Sequence, residues 1–184
     1  MKSQKSILVD VDGTIADIHT IFSSKISSDF NTAFSVEDIT DWNFGGKTRT
    51  LGIDVKTCID IMHNLWRSDW ESVPLMDSFV VDAMSSLKTE YKVDIVTANE
   101  SWESIKKWLL KNNVPHNNFL FHVNKHELDY DIFIEDNAQL HEKLRPSQIL
   151  LLKDRPWNRS LKEKKNVIRF GSFDEVEGIL KDLG

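Results

Sequence analysis

The sequence predicts an α/β fold, with short parallel strands at its centre and helices packed against the sheet. Six short apolar runs recur along the chain, at Ile7-Leu8-Val9, Val93-Asp94-Ile95-Val96, Phe119-Leu120-Phe121, Ile132-Phe133-Ile134, Ile149-Leu150-Leu151-Leu152 and Val167-Ile168. They are largely continuous, as strands covered on both faces are. Segments of helical spacing separate most of them: Phe79, Ala83 and Leu87 with Val80 and Met84 make one stripe, and Trp102, Ile105, Trp108 and Leu109 another. This alternation reads as βαβ units, and right-handed crossovers then produce a doubly wound, three-layer domain.

Residues 6–11 form the first expected strand. About eighty residues separate it from the strand at Val93, far more than one crossover helix needs. Within that stretch, residues 18–30 and 54–70 carry helical patterns, Ser35-Val36-Glu37-Asp38 reads as a helix start, and Gly45-Gly46 as a turn. The expectation is a helical insertion over residues 17–76, closed by Pro74, on a core made of residues 1–16 and 77–184. In that core residues 78–91 and 101–112 are expected helices, with shorter ones at 137–144 and 173–183. Lys162-Glu163-Lys164-Lys165 reads as a solvated charge run.

A chain of 184 residues has room for one compact domain with a small appendage. Apolar residues at 40%, charged residues at 28%, 7 Gly and 4 Pro exclude disordered and collagen-like classes. Acids outnumber bases 29 to 23, a net charge of −6, which argues against a nucleic-acid partner. The single cysteine, Cys58, permits neither an internal disulfide nor a cysteine zinc site, and reads as a buried apolar residue. No apolar run is long enough to span a bilayer, and no secretory h-region follows Met1-Lys2-Ser3-Gln4-Lys5. A soluble, cytoplasmic protein with no membrane partner is expected.

The chemistry concentrates in Ile7-Leu8-Val9-Asp10-Val11-Asp12-Gly13-Thr14. Two carboxylates stand two apart at the C-terminal end of a central strand, where open α/β sheets bind ligands. Buried carboxylates need a cation, a proton or a cationic side chain, and a hard divalent ion such as Mg²⁺ suits an all-oxygen set. The bland alternative is an Asp-Gly turn with Asp10 as a cap.

This octapeptide resembles the first motif, DxDGT, of the haloacid dehalogenase superfamily. The other three motifs of that superfamily follow in order, each at an expected strand end. Thr97 closes Ile95-Val96-Thr97-Ala98-Asn99, Lys125 follows the strand ending near Val123, and the acidic pair Glu135-Asp136 closes Ile132-Phe133-Ile134. Taken singly, Thr97 with Glu100 is also a capping box and Lys125 a common surface residue. The resemblance covers essentially the whole chain and implies a Rossmann-like core with a cap of the C1 type inserted after the first strand. It further implies Mg²⁺ held by Asp10, the Asp12 carbonyl and Asp136, with Asp10 as nucleophile and Asp12 as general acid and base. Thr97, the backbone at Ala98, and Lys125 would bind phosphate, with Glu135 behind the ligands orienting the cation's water. Dehalogenating members lack the second aspartate, so Asp12 points to phosphoryl transfer.

The insertion is rich in aromatics: Phe22, Trp42, Phe44, Trp66 and Trp70. Trp66 and Trp70, four apart, would share a helix face. Such side chains either form the insertion's own core or line a cleft and stack on a base. The pattern is similar to the 5′(3′)-deoxyribonucleotidase family, on Asp10-Val11-Asp12-Gly13-Thr14-Ile15-Ala16-Asp17, the insertion length, Trp66 and Asn124-Lys125. That similarity places Ile18, Trp42, Trp66 and Trp70 near the substrate. Ala98, Val123 and Asn137 stand where animal members carry Ser, Arg and Arg, which leaves base and sugar preference open.

The expected substrate is a small phosphomonoester, a nucleotide above all. The alternatives are a phosphatase of another metabolite such as a sugar phosphate, and a non-catalytic Mg²⁺ and phosphate-binding regulator. His116, His122 and His126 do not have the helical setting a zinc site would need. Arg155-Pro156-Trp157-Asn158-Arg159 could bind substrate, anchor a homodimer, or be a rigid loop with a packed Trp.

Overall fold

The computed structural model describes residues 4–162 and 164–183. The leader reading at residues 1–3 and Glu163 of the charge run lie outside them. Six strands, β1 (Ser6–Val9), β2 (Lys92–Thr97), β3 (Asn118–Phe121), β4 (Ile132–Glu135), β5 (Ile149–Lys153) and β6 (Val167–Phe170), form one sheet. Their order is β3-β2-β1-β4-β5-β6, and every pairing is parallel. The order reverses between β1 and β4, so a crevice opens at their C-terminal ends.

The helices are α1 (Ile18–Asp29), α2 (Lys47–Thr50), α3 (Val55–Ser68), α4 (Val80–Glu90), α5 (Trp102–Lys111) and α6 (Val176–Asp182). Alternate β1 side chains explain the two layers they face. Ile7 and Val9 join a cluster with Val80, Met84 and Leu87 of α4, Ile105 and Trp108 of α5, and Leu180 of α6. Leu8 joins Val96, Tyr130, Phe133, Leu150 and Leu152 on the opposite face. Right-handed crossovers send the links after β3, β4 and β5 over that second face. Among the described residues those links contain 3₁₀ turns and no α-helix, at Lys125–Glu127, Ala138–Glu142 and Pro156–Asn158, so the third layer is thin.

The long connection between β1 and β2 holds α1, a 3₁₀ turn at Val36–Asp38, α2, α3 and a 3₁₀ turn at Trp70–Ser72. Asp54 caps α3 by accepting from the Thr57 N–H at 2.7 Å, a contact worth about 1 kcal/mol. The apolar side of this segment (Ile18, Phe22, Cys58, Met62 and Leu65) belongs to the same cluster as α4 and α5.

Three expectations change. The first strand stops at Val9, two residues early, because the N–H groups of Thr14, Ile15 and Ala16 all donate to the Val11 carbonyl and bend the chain. Residues 137–144 form a five-residue 3₁₀ turn instead of a helix, with the Asn137 side chain accepting from Gln139 N–H. Helix α3 ends at Ser68, so Trp70 lies in the following turn and does not share a face with Trp66. Among the described residues, no helix is long and apolar enough to cross a membrane.

Candidate active site

The first motif leaves β1 at the sheet's switch point. Asp10 N–H donates to the Ile134 carbonyl at 2.9 Å, which ties the end of β1 to β4. Gly13 then takes a φ of +78°, a left-handed conformation that a residue with a Cβ adopts only at a cost. The turn carries Asp10 and Asp12 to the crevice, opposite Glu135 and Asp136 at the end of β4.

Asp10, Glu135 and Asp136 are all buried, and one oxygen from each lies within 4.8 Å of the others. Lys125, also buried, donates its Nζ to Asp10 Oδ1 and to Glu135 Oε1, the latter at 2.6 Å. One ammonium therefore pairs with two of the three acids and leaves Asp136 without a direct partner. Burial, then the Glu135 charge, pushes the Asp10 carboxyl up to about 7. Burial, then Asp10 and Glu135, holds Asp136 well above the ordinary carboxylate range. Burial alone would lower Lys125, but Asp10 and Glu135 reverse this and keep it charged. Among the described residues neither Asp136 side-chain oxygen has a hydrogen-bond partner. Buried carboxylates so placed lack positive charge, and an all-oxygen cluster of this spacing suits a hard divalent cation.

Asp12 sits in a different environment. Its Oδ1 accepts from Trp66 Nε1 at 2.5 Å and its Oδ2 from Asn99 Nδ2 at 3.1 Å. The Asn99 amide is oriented, since its own oxygen accepts from Ser101 N–H at 2.9 Å. Burial raises the Asp12 carboxyl, and the Trp66 and Asn99 hydrogen bonds only partly oppose it. Two carboxyls held in different surroundings can take separate nucleophile and acid–base roles.

A cavity of about 390 Å³ opens above these groups. Its floor is Asp10, Asp12, Lys125, Glu135 and Asp136, with Ala98 and Asn99 beside them. Trp42, Phe44, Val55, Ile59 and Met62 from the helical segment supply an apolar wall. Thr97 lies behind Ala98, fully buried, with its hydroxyl accepting from Asn99 N–H at 3.0 Å.

The structure thus brings Asp10, Asp12, Ala98, Lys125, Glu135 and Asp136 to one cavity, together with Trp42. It does not bring Ile18 or Trp70 there. Ile18 is fully buried in the apolar cluster, and Trp70 packs on that cluster with Lys111 Nζ 5.8 Å from its ring centre. Trp66 is also fully buried, edge-on to Trp108, and reaches the site only through its indole N–H. Sequence reasoning missed Asn99 and His19, and left Trp157 in a segment with three alternative roles. Asn99 carried a usable signal, an amide two residues beyond Thr97. The His19 and Trp157 rings pack with centres 4.2 Å apart, tilted 37° to one another, and line the cavity from elements far apart in sequence.

A family model described as "5′ nucleotidase, deoxy (pyrimidine), cytosolic type C protein" matches residues 4–182. A nucleotidase from Clostridium acetobutylicum is 27% identical over 190 residues, covering 98% of this chain and 95% of the relative. A haloacid dehalogenase-like hydrolase from Streptococcus pneumoniae superposes with a TM-score of 0.66 at 13% identity, over 98% of this chain and 100% of the other. One from Xanthomonas campestris superposes with a TM-score of 0.58 at 10% identity, over 98% of this chain and 96% of the other.

Proposed function

Starting from the fact that this chain belongs to the cytosolic type C deoxy-pyrimidine 5′-nucleotidase family, and so is a nucleotidase-type phosphoric monoester hydrolase of the haloacid dehalogenase superfamily, we propose that it is a Mg²⁺-dependent phosphatase of nucleoside monophosphates. The observation that carries this reading is the division of labour among its acids. Asp10 and Asp136 share an electron-rich site short of cations, while Asp12 is held apart by Trp66 and Asn99.

Asp10, Asp136 and the Asp12 carbonyl would hold Mg²⁺, which when bound neutralises the acids and screens the phosphate dianion. Asp10 attacks phosphorus in line, the bond from phosphorus to the nucleoside oxygen breaks, and an aspartyl phosphate forms. Asp12 gives its proton to the departing oxygen. In the second half Asp12 takes a proton from water, the hydroxide attacks phosphorus, and the bond to Asp10 breaks to release phosphate. Lys125 faces the phosphate oxygens, and the Thr97 hydroxyl, which only accepts from Asn99, keeps its proton free to donate. Glu135 holds Lys125 in place and is itself fixed by Asn137 N–H at 3.0 Å.

Residues 17–76 serve here as a cap, and Trp42 on its exposed loop offers the base an aromatic surface. The test is phosphate release from a panel of nucleoside monophosphates, sugar phosphates and an aryl phosphate, with Mg²⁺ and with EDTA. Turnover of nucleotides that EDTA abolishes is expected, and Asp10→Asn should remove about 10⁴-fold or more of it. Turnover of sugar phosphates alone would redirect the substrate reading, and no turnover of any monoester would overturn the whole.

A further inference from the structure

The segment Arg155-Pro156-Trp157-Asn158-Arg159 has no part in the reaction above, yet it lies directly behind Asp136. Asn158 is 1% exposed and uses its whole amide. Its Nδ2 donates to the Asp136 carbonyl at 2.9 Å and to the Lys153 carbonyl at 2.8 Å. Its Oδ1 accepts from Arg155 N–H at 3.2 Å and from Arg169 Nη1 at 2.9 Å. Both of those partners can only donate, so the amide has one orientation, with Nδ2 toward Asp136.

The Asp136 carboxylate itself has no hydrogen-bond partner among the described residues. None of the described residues hydrogen-bonds its side chain, so its aim at Asp10 is set through its backbone. Asn158 is the side chain that holds that backbone, and it also joins it to the end of β5. We propose that Asn158 is a positioning residue for Asp136, fixing the peptide so that the carboxylate is already placed for a divalent cation.

The rest of the turn fits this role. Arg155 pairs with Asp17 at 3.3 Å and lies 4.7 Å from the centre of the Trp157 ring, which packs at a tilt against His19. The turn is thereby clamped to the start of α1, and Asn158 does not drift. Groups that orient a ligand from behind typically contribute 10- to 100-fold in metal affinity.

The inference rests on the reading of Asp136 as a cation ligand, and thermal unfolding followed over a Mg²⁺ titration separates the two. Wild type should show a saturable rise in Tm; no rise would refute the ligand reading, and this inference with it. With that rise in hand, Asn158→Asp and Asn158→Ser should move its midpoint about 10- to 100-fold higher in Mg²⁺. Arg169→Gln is the control, since it loosens the same turn but leaves the Asp136 contact. It should lower Tm throughout while keeping the midpoint within about twofold. Unchanged midpoints in the Asn158 variants, an equal shift in Arg169→Gln, or failure of both Asn158 variants to fold would each overturn the role and leave Asn158 structural.

Discussion

Trp66 Nε1 donates to Asp12 Oδ1 at 2.5 Å, across 54 residues of sequence and from a helix outside the sheet. The indole is fully buried and braced edge-on by Trp108, whose own N–H donates to the Val73 carbonyl at 2.7 Å. Helix α3 is also tied to the second motif, because Ser101 Oγ donates to the His63 carbonyl at 3.2 Å. The helical segment thus reaches into the acid–base residue of the proposed reaction as well as covering the cavity.

Trp66→Phe should therefore damage the steps that need a well-aimed Asp12. Nucleotides, with poorly leaving alkoxides, should lose about 10- to 100-fold in kcat, a part of what general acid catalysis supplies. A nitrophenyl phosphate, whose leaving group needs little protonation, should lose much less. Equal losses on both substrates would mean that the indole only packs.

Trp42 and Trp70 should part company. Trp42 is 41% exposed on the cavity wall, whereas Trp70 packs on the apolar cluster away from it. Trp42→Ala should raise KM for nucleotides several-fold, as loss of one base–aromatic stack does, and leave a small aryl phosphate unaffected. Trp70→Ala should lower Tm without changing the ratio between those substrates. A steady-state comparison of both variants decides it, and an unchanged nucleotide KM for Trp42→Ala would remove the stacking role.

Stability should depend on pH and Mg²⁺ together. Burial, then Glu135, lifts Asp10 from 3.8 to about 7, and Asp136 is lifted as well. A carboxyl whose pKa is higher folded than unfolded binds its proton more tightly in the folded state. Its stabilisation is complete below about 3.8 and lost as pH rises through about 7. A divalent cation competes with those protons, so the Tm gained by replacing EDTA with Mg²⁺ should grow from about pH 5 to about pH 8. A gain that shrinks over that range would place the ion away from these acids.

What was legible in the sequence was whatever a local pattern carries. Asp10, Asp12, Thr97, Lys125, Glu135 and Asp136 each end or follow a strand; the alternation of strands and helices indicated the fold, and the resemblance to the superfamily's motifs pointed to these residues as one site. The wall was harder. Trp66 and Trp70 look alike in sequence, four apart in one helical pattern, and only the end of α3 at Ser68 sends them to different places. Asn158 and Trp157 were visible as a motif whose role stayed open between substrate binding, a dimer anchor and a rigid loop, because their partners Asp136 and His19 are 22 or more residues away.

Gly13 provides the sharpest mutational contrast, because Gly52 also has a positive φ. Their φ angles are +78° and +74°. A Cβ at Gly52 would meet nothing within 4 Å, whereas one at Gly13 would fall inside contact distance of Asp136 Oδ2 and lie 3.1 Å from His19 Cε1. Gly52→Ala should therefore cost only the left-handed backbone term, about 1–2 kcal/mol, with turnover intact. Gly13→Ala pays the same term and also drives the Asp136 carboxylate from its place beside Asp10. It should lose the Mg²⁺-dependent rise in Tm along with nucleotide turnover. Equal effects of the two substitutions on Mg²⁺ response would mean that Asp136 has room to yield, and that its placement against the first motif is not what the cation requires.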